Sequence, residues 1–231
     1  MVSAVGGGGY TEEDLQAKYD EGKQAEYDRF WDGVQQNGNR TVYTYAFRNW
    51  HNAEINPKYP IVCDGAGTQM FDGCMELLFP PKVTPQNGYF DTIYAMFTNC
   101  RKMKAVNWDI SVVTSTSSAM FNTFHMCQEL VTIKSLTFDV AESVSITANF
   151  FGYCHKLENV QFGGTLRNNG LNMQYSTKLS KASIESLINV LSTTTSGKSV
   201  TLSKTAVNNA FTDAEWATLA NTRSNWTINL V

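Results

Sequence analysis

The chain has 231 residues, of which 42% are hydrophobic, 12% aromatic and 17% charged. That balance supports one sizeable domain, or a domain with an appendage, and argues against wholesale disorder. A net charge of −3 with singly scattered Lys and Arg excludes a basic nucleic-acid interface, and the absence of any run of roughly 18 apolar residues argues against insertion into a membrane.

Residues 1–10 read as a flexible N-terminus. The stretch lacks both the positive start and the apolar run of about 7–15 residues that mark a secretory signal, and Gly6 to Gly9 make a joint. Residues 11–60 read as an N-terminal helix and strand. Thr11 with Asp14 makes a capping-box pattern, and Glu12 and Glu13 favour the positive helix end. Leu15, Tyr19, Tyr27, Phe30, Trp31 and Val34 share one face of a helix over 11–36. Asn37-Gly38-Asn39 stops it, and residues 41–47 alternate like a strand. The apolar face requires cover, so this helix is expected to cap the C-terminally adjoining domain, with self-association or virion assembly as the other use.

Residues 61–175 carry an internal repeat. Four segments superimpose on their cysteines, each reading Phe-x-x-Cys-x-x-Leu/Met, with Phe71, Phe97, Phe124 and Phe151 leading Cys74, Cys100, Cys127 and Cys154 at intervals of 26, 27 and 27 residues. A fixed period of this size predicts an α+β repeat solenoid, a short leucine-rich-repeat stack of about four 26–27-residue units. The phenylalanines form one interior column and the cysteines a second, which together make a structural ladder. The fifth cysteine, Cys63, makes the count odd, and no C-x-x-C is present. Buried inert thiols are therefore expected rather than disulfides or a metal site.

Residues 176–231 read as a C-terminal cap of the same domain. Ile184, Leu187, Ile188 and Leu191 lie at helical spacing, and 193–197 breaks that helix. Residues 199–202 form a short strand, Thr212 and Glu215 a second capping box, and 226–230 a last strand.

The Phe-x-x-Cys-x-x-Leu pattern resembles the BspA-type leucine-rich repeats of bacterial surface proteins. Residues 107–121, with Met96-Phe97, resemble the related 26-residue repeat of such proteins, which reads W-D-x-S-x-V-T and then M-F. The order of EYDRFWD and NGNRT near the start (26–41), repeats and tail also resembles proteins encoded in phages and prophages of gut Firmicutes. The resemblance implies recognition or adhesion at a virion or bacterial surface. A leaderless chain, cytoplasmic at synthesis, suits a virion part released by lysis.

No nucleophile elbow, zinc-protease helix or phosphate loop is present. The three histidines, His51, His125 and His155, have no sequence partner that suggests catalysis, and no cofactor is implied. A non-enzymatic role in protein binding is the expectation, with a structural spacer or assembly protein as the alternative and an enzyme as the least favoured reading. Counting from each cysteine, positions +5, +7 and +9 should face out on a strand. These are Ala105, Asn107 and Asp109, then Thr132, Lys134 and Leu136, then Asn159, Gln161 and Gly163. Asn107, Asp109, Thr132, Lys134, Asn159 and Gln161 are the expected contacts for a protein or glycan on a cell surface. Trp108 is the candidate aromatic anchor.

Overall fold

A computed structural model of the chain describes residues 40–42, 45–57, 60–116, 118–144, 146 and 149–231. The flexible start and the helix expected over 11–36 lie outside the described residues. The best-defined local unit is the turn that begins at each phenylalanine. Within it the cysteine N–H donates to the carbonyl of its own Phe, as from Cys74 to Phe71 at 3.1 Å and from Cys127 to Phe124 at 3.2 Å. To close so tightly the backbone turns left-handed two residues before and two after the ring. The φ values are +50° at Ala95 and +61° at Asn99, +56° at Asn122 and +65° at Met126. Such a conformation costs a residue with a Cβ about 1–2 kcal/mol.

Bonds to the next turn offset that cost. Alternate amides of one turn donate to alternate carbonyls of the next: Gln69 to Tyr94, Phe71 to Met96 and Gly73 to Thr98, each at 2.8 Å. The registered turns stack their rings nearly parallel, with centroid separations of 5.2 Å for Phe47–Phe71, 5.4 Å for Phe71–Phe97, 5.2 Å for Phe97–Phe124 and 5.4 Å for Phe124–Phe151. Each thiol reaches back to the phenylalanine carbonyl of the preceding turn: Cys74 to Phe47 (2.9 Å), Cys100 to Phe71 (3.0 Å), Cys127 to Phe97 (3.0 Å) and Cys154 to Phe124 (3.1 Å). Two further turns share the Cys-type closure but lack the cysteine. Trp50 N–H donates to Phe47 O at 3.1 Å and Ser176 N–H to Met173 O at 3.0 Å.

The strands do not join into one continuous stack, and this overturns the expected leucine-rich-repeat solenoid of about four units. The described residues form three separate three-stranded parallel sheets and three helices. The first sheet contains β1 (Arg40–Val42), β2 (Ile61–Cys63) and β3 (Val83–Pro85). The central sheet contains β4 (Ala105–Thr114), β5 (Thr132–Val140) and β6 (Asn159–Thr165). The third contains β7 (Leu171–Met173), β8 (Lys198–Leu202) and β9 (Trp226–Leu230). The helices α1 (Lys181–Val190), α2 (Lys204–Ala210) and α3 (Asp213–Asn221) all fall in the C-terminal part.

Each break has a local cause. Pro80, Pro81 and Pro85 have no N–H to give a ladder, and between the first and central sheets a single bridge, Phe90 with Val112, is formed. On the other side, Gly164 at the end of β6 has φ +76°, and a Cβ there would collide with the Phe138 carbonyl. Helix α1 lies against the free edge of β6 in place of another strand. Ser183 Oγ accepts from Val160 N–H at 2.9 Å and donates to Glu158 O, while Ser186 Oγ accepts from Phe162 N–H at 3.2 Å and shares its hydrogen between Val160 O at 3.2 Å and Ser183 O at 2.9 Å. A serine hydroxyl both donates and accepts, so two serines three apart on α1 reproduce the bonds of a missing strand.

The C-terminal elements match their sequence signals closely. The helix expected around 184–191 is α1, Thr212 and Glu215 form a reciprocal capping box on α3, and the strands at 199–202 and 226–230 lie in β8 and β9. Helix α2 has no counterpart among the expected elements. Arg223 closes the far end of α1 by donating to Asn189 O and Leu191 O, both at 2.9 Å, which satisfies carbonyls that the helix itself leaves open.

These contacts generate two stability predictions. Ser183→Ala leaves the Val160 amide buried without its acceptor and should cost about 1–3 kcal/mol in denaturant unfolding; an unchanged midpoint would show that α1 does not close the sheet. At Asn99, which is left-handed and half-exposed, replacement by Val should cost about 1–3 kcal/mol while replacement by Gly should cost nothing or stabilise. Equal effects of the two changes would contradict the strained turn.

Candidate functional site

The central sheet has one buried and one open face. Val106, Ile110 and Val112 on β4, Ile133, Leu136 and Phe138 on β5, and Val160 and Phe162 on β6 are buried against the stacked turns. Two bulges interrupt the pairing of these strands, and the one in β5 changes which residues face out. The β4–β5 register slips between Val106 and Asp109, and the β5–β6 register slips between Ile133 and Leu136. Each slip inserts one extra residue into the earlier strand. In β5 the alternation inverts beyond it, so that Leu136 follows Ile133 as the next buried residue, whereas β4 keeps Val106, Trp108, Ile110 and Val112 buried in plain alternation.

Three of the positions expected on the surface are corrected by this geometry. Leu136 is fully buried and Ala105 is 9% exposed, so neither faces solvent. Trp108 is 5% exposed and cannot serve as an anchor. Its ring packs with Phe90 and Phe97, each at 6.2 Å, and its Nε1–H donates to Pro80 O at 3.3 Å. Alternation along β4 places this large ring on the same side as Val106 and Ile110, where its area contributes to the core.

The remaining residues lie on the open face. Asn107, Asp109, Lys134, Asn159 and Gln161 are exposed, and Thr132 and Gly163 are half-buried. Thr132 pairs with Asn159, and Lys134 Nζ lies 2.9 Å from Asp109 Oδ2. This face continues beyond the region the sequence singled out. Ser111 stands opposite Thr137 and Val113 opposite Asp139, while Thr137 pairs with Gly163 and Asp139 with Thr165. Phe90 bridges to Val112, so its neighbours Tyr89 and Asp91 extend the face by a short fourth row.

At the C-terminal end of the strands the face deepens into a groove of about 530 Å³, lined by residues including Tyr89, Asp91, Val113, Thr116, Asp139 and Arg167. Arg167 Nη1 contacts Asp139 Oδ1 at 3.3 Å. Positions +5 to +9 after the cysteines do not reach this end. The alternation of β4 and β5 running past that point is the sequence signal for it.

The opposite, turn-bearing side is occupied by ion pairs two and four residues after the cysteines. Lys102 meets Glu76 at 2.6 Å, and Glu129 holds both Lys104 (2.7 Å) and Lys156 (2.6 Å). Hydrogen bonds from Lys104 and then Lys156 bring the Glu129 carboxyl down to about 2. Exposed pairs of this kind contribute little individually, but they leave both carboxylates paired, with one lysine in excess.

Among the described residues no hydrogen bond joins a cysteine, serine or threonine side chain to a histidine ring. Burial pushes the Cys100 and Cys127 thiols well up, and their hydrogens are committed to phenylalanine carbonyls. His125 packs edge-on to Tyr153 at 5.6 Å and His155 edge-on to Tyr175 at 5.7 Å, outside the turns. All five cysteines are free and buried. Among the described residues no three of His, Cys, Asp and Glu are grouped to hold a metal ion, and no helix is long and apolar enough to cross a membrane.

Comparison with known proteins places the chain beside none of them: no protein-family model, no curated protein and no solved structure gives a significant match.

Proposed function

We propose that this protein is a non-catalytic recognition protein that binds through the open face of the central sheet. The observation that carries the reading is the division of labour between the two faces. The buried face supplies the core, whereas Asn107, Asp109, Lys134 and Gln161 are exposed on the other and contribute little to folding. Rigid strands set amides, carboxylates and an ammonium in adjacent rows, the arrangement that orients hydrogen bonds toward a partner. A protein or glycan on a cell surface is the partner proposed, and adhesion at a virion or bacterial surface, such as host binding by a phage tail, is the setting that the resemblance of the Phe-x-x-Cys segments suggests.

The test compares paired alanine changes on the two sides. Asn107→Ala with Gln161→Ala, and Asp109→Ala with Lys134→Ala, should each lower adsorption to candidate bacterial host cells at least tenfold. Glu76→Ala with Lys102→Ala on the turn side should adsorb like the parent. All three pairs should shift stability by only about 0.5 kcal/mol per site, as solvent-facing changes usually do. Loss confined to the turn-side pair would place recognition there. No adsorption by the parent protein would favour a spacer or assembly role.

A further inference from the structure

We infer that the groove at the C-terminal end of the central sheet is a sugar-binding subsite that takes an uncharged pyranose unit of a glycan; this deepens, and rests on, the recognition reading above. The groove has the size of a small-ligand site. About 530 Å³ lies within the roughly 300–1,000 Å³ typical of small-ligand sites, and one sugar ring with part of a second fits such a space.

The lining chemistry selects among ligands of that size. Its charged groups are Asp91, Asp139 and Arg167, two carboxylates against one guanidinium. That balance repels phosphate, sulfate and carboxylate ligands. The single guanidinium is already engaged with Asp139 at 3.3 Å, so no cation is left over for an anion. The described contacts give Asp91 no ion pair, and the residue is exposed and lines the groove, one carboxylate oxygen lying over Gly65. Free and paired carboxylates accept hydrogen bonds from hydroxyl groups, and a guanidinium donates to hydroxyl oxygens. Acceptors and donors side by side match neighbouring sugar hydroxyls, each of which both donates and accepts.

The groove also has an apolar component. The half-buried Tyr89 ring and the Val113 side chain offer surface for the C–H face of a pyranose. Ser115 and Thr116 add hydroxyls at the rim, where Thr116 N–H donates to Thr114 Oγ1 at 3.1 Å and holds the loop after β4 in a turn. Peptide ligands fit less well, because Phe90 already occupies the β4 edge at Val112 and Val113 and Ala141 are the aliphatic side chains the lining offers to an apolar anchor.

The experiment titrates the whole protein with uncharged oligosaccharides of glucose, galactose, mannose and N-acetylglucosamine, using sialyllactose and a sulfated oligosaccharide as charged comparisons. Binding is read by calorimetry. At least one uncharged sugar should bind and the charged ones should not. Tyr89→Ala and Asp91→Asn should each weaken that binding at least tenfold, with thermal unfolding kept near the parent value, and Lys102→Ala on the turn side should leave it unchanged. Binding that survives both groove changes, preference for the charged sugars, or no binding by any uncharged sugar would overturn the proposal. Cell adsorption separates this failure from that of the broader reading. If the Asn107/Gln161 pair still abolishes adsorption while Tyr89→Ala does not, the face binds its partner and the sugar subsite is refuted. If no face variant affects adsorption, both are refuted.

Discussion

The contact on which the rest of this structure depends is a thiol hydrogen reaching back to a phenylalanine carbonyl one turn earlier. That carbonyl already accepts the cysteine N–H of its own turn, so the thiol and the amide share it, as at Phe97 with Cys100 N–H and Cys127 Sγ. The sharing fixes both the distance and the phase between successive turns, and the phenylalanine rings have little choice but to stack. Cysteine suits the position because it is small and apolar yet retains a weak donor. Serine performs a related task at Ser176, where the hydroxyl donates to Cys154 O at 3.3 Å. Left-handed residues flank the rings and would be unfavourable in isolation; the inter-turn amide ladder over-determines them.

The central sheet inherits its order from this spine. Met103, Leu130 and Leu157, three residues after their cysteines, are fully buried and lead the chain into β4, β5 and β6. The strands then run parallel because the turns that launch them are parallel. One face is committed to the rings below. The other is left to carry polar residues, which is why recognition is assigned to it. The sheet needs an end as well as a base, since an unpaired edge invites association with other chains. Ser183 and Ser186 provide that end from a helix, while prolines and a single bridge limit the sheet on the other side.

How much of the fold is legible in the sequence depends on whether a residue's role is set by its own turn or by its neighbours. The Phe and Cys columns can be read directly, because burial at one recurring place demands the same side chain each time. The turn at Phe47–Trp50 is hidden because Trp stands where the pattern has Cys. Sheet boundaries are not readable from the period, since they depend on what lies across an edge: Pro80 and Pro81 against β4, or serines of α1 against β6. The outward residues are half legible. Asn107, Lys134 and Gln161 face out as the spacing from the cysteines predicts, but a one-residue bulge in β5 moves Leu136 inward, and a bulge leaves no mark in a simple alternation count. Trp108 faces in because it alternates with Val106 and Ile110. The groove lies beyond the +5 to +9 positions, and it also draws on Tyr89 and Asp91, which precede β4 and become neighbours of Val113 through the Phe90 bridge.

The central claim, that stacked thiols and rings hold the sheet in place, is tested most directly by alkylation of the intact chain and then mass spectrometry. Cys74, Cys100, Cys127 and Cys154 should resist labelling at mildly alkaline pH in the native protein, because they are fully buried and the donating hydrogens are held. They should then become reactive together across a single denaturant transition. Rapid native labelling of any of the four, or their separate release at different denaturant concentrations, would contradict it.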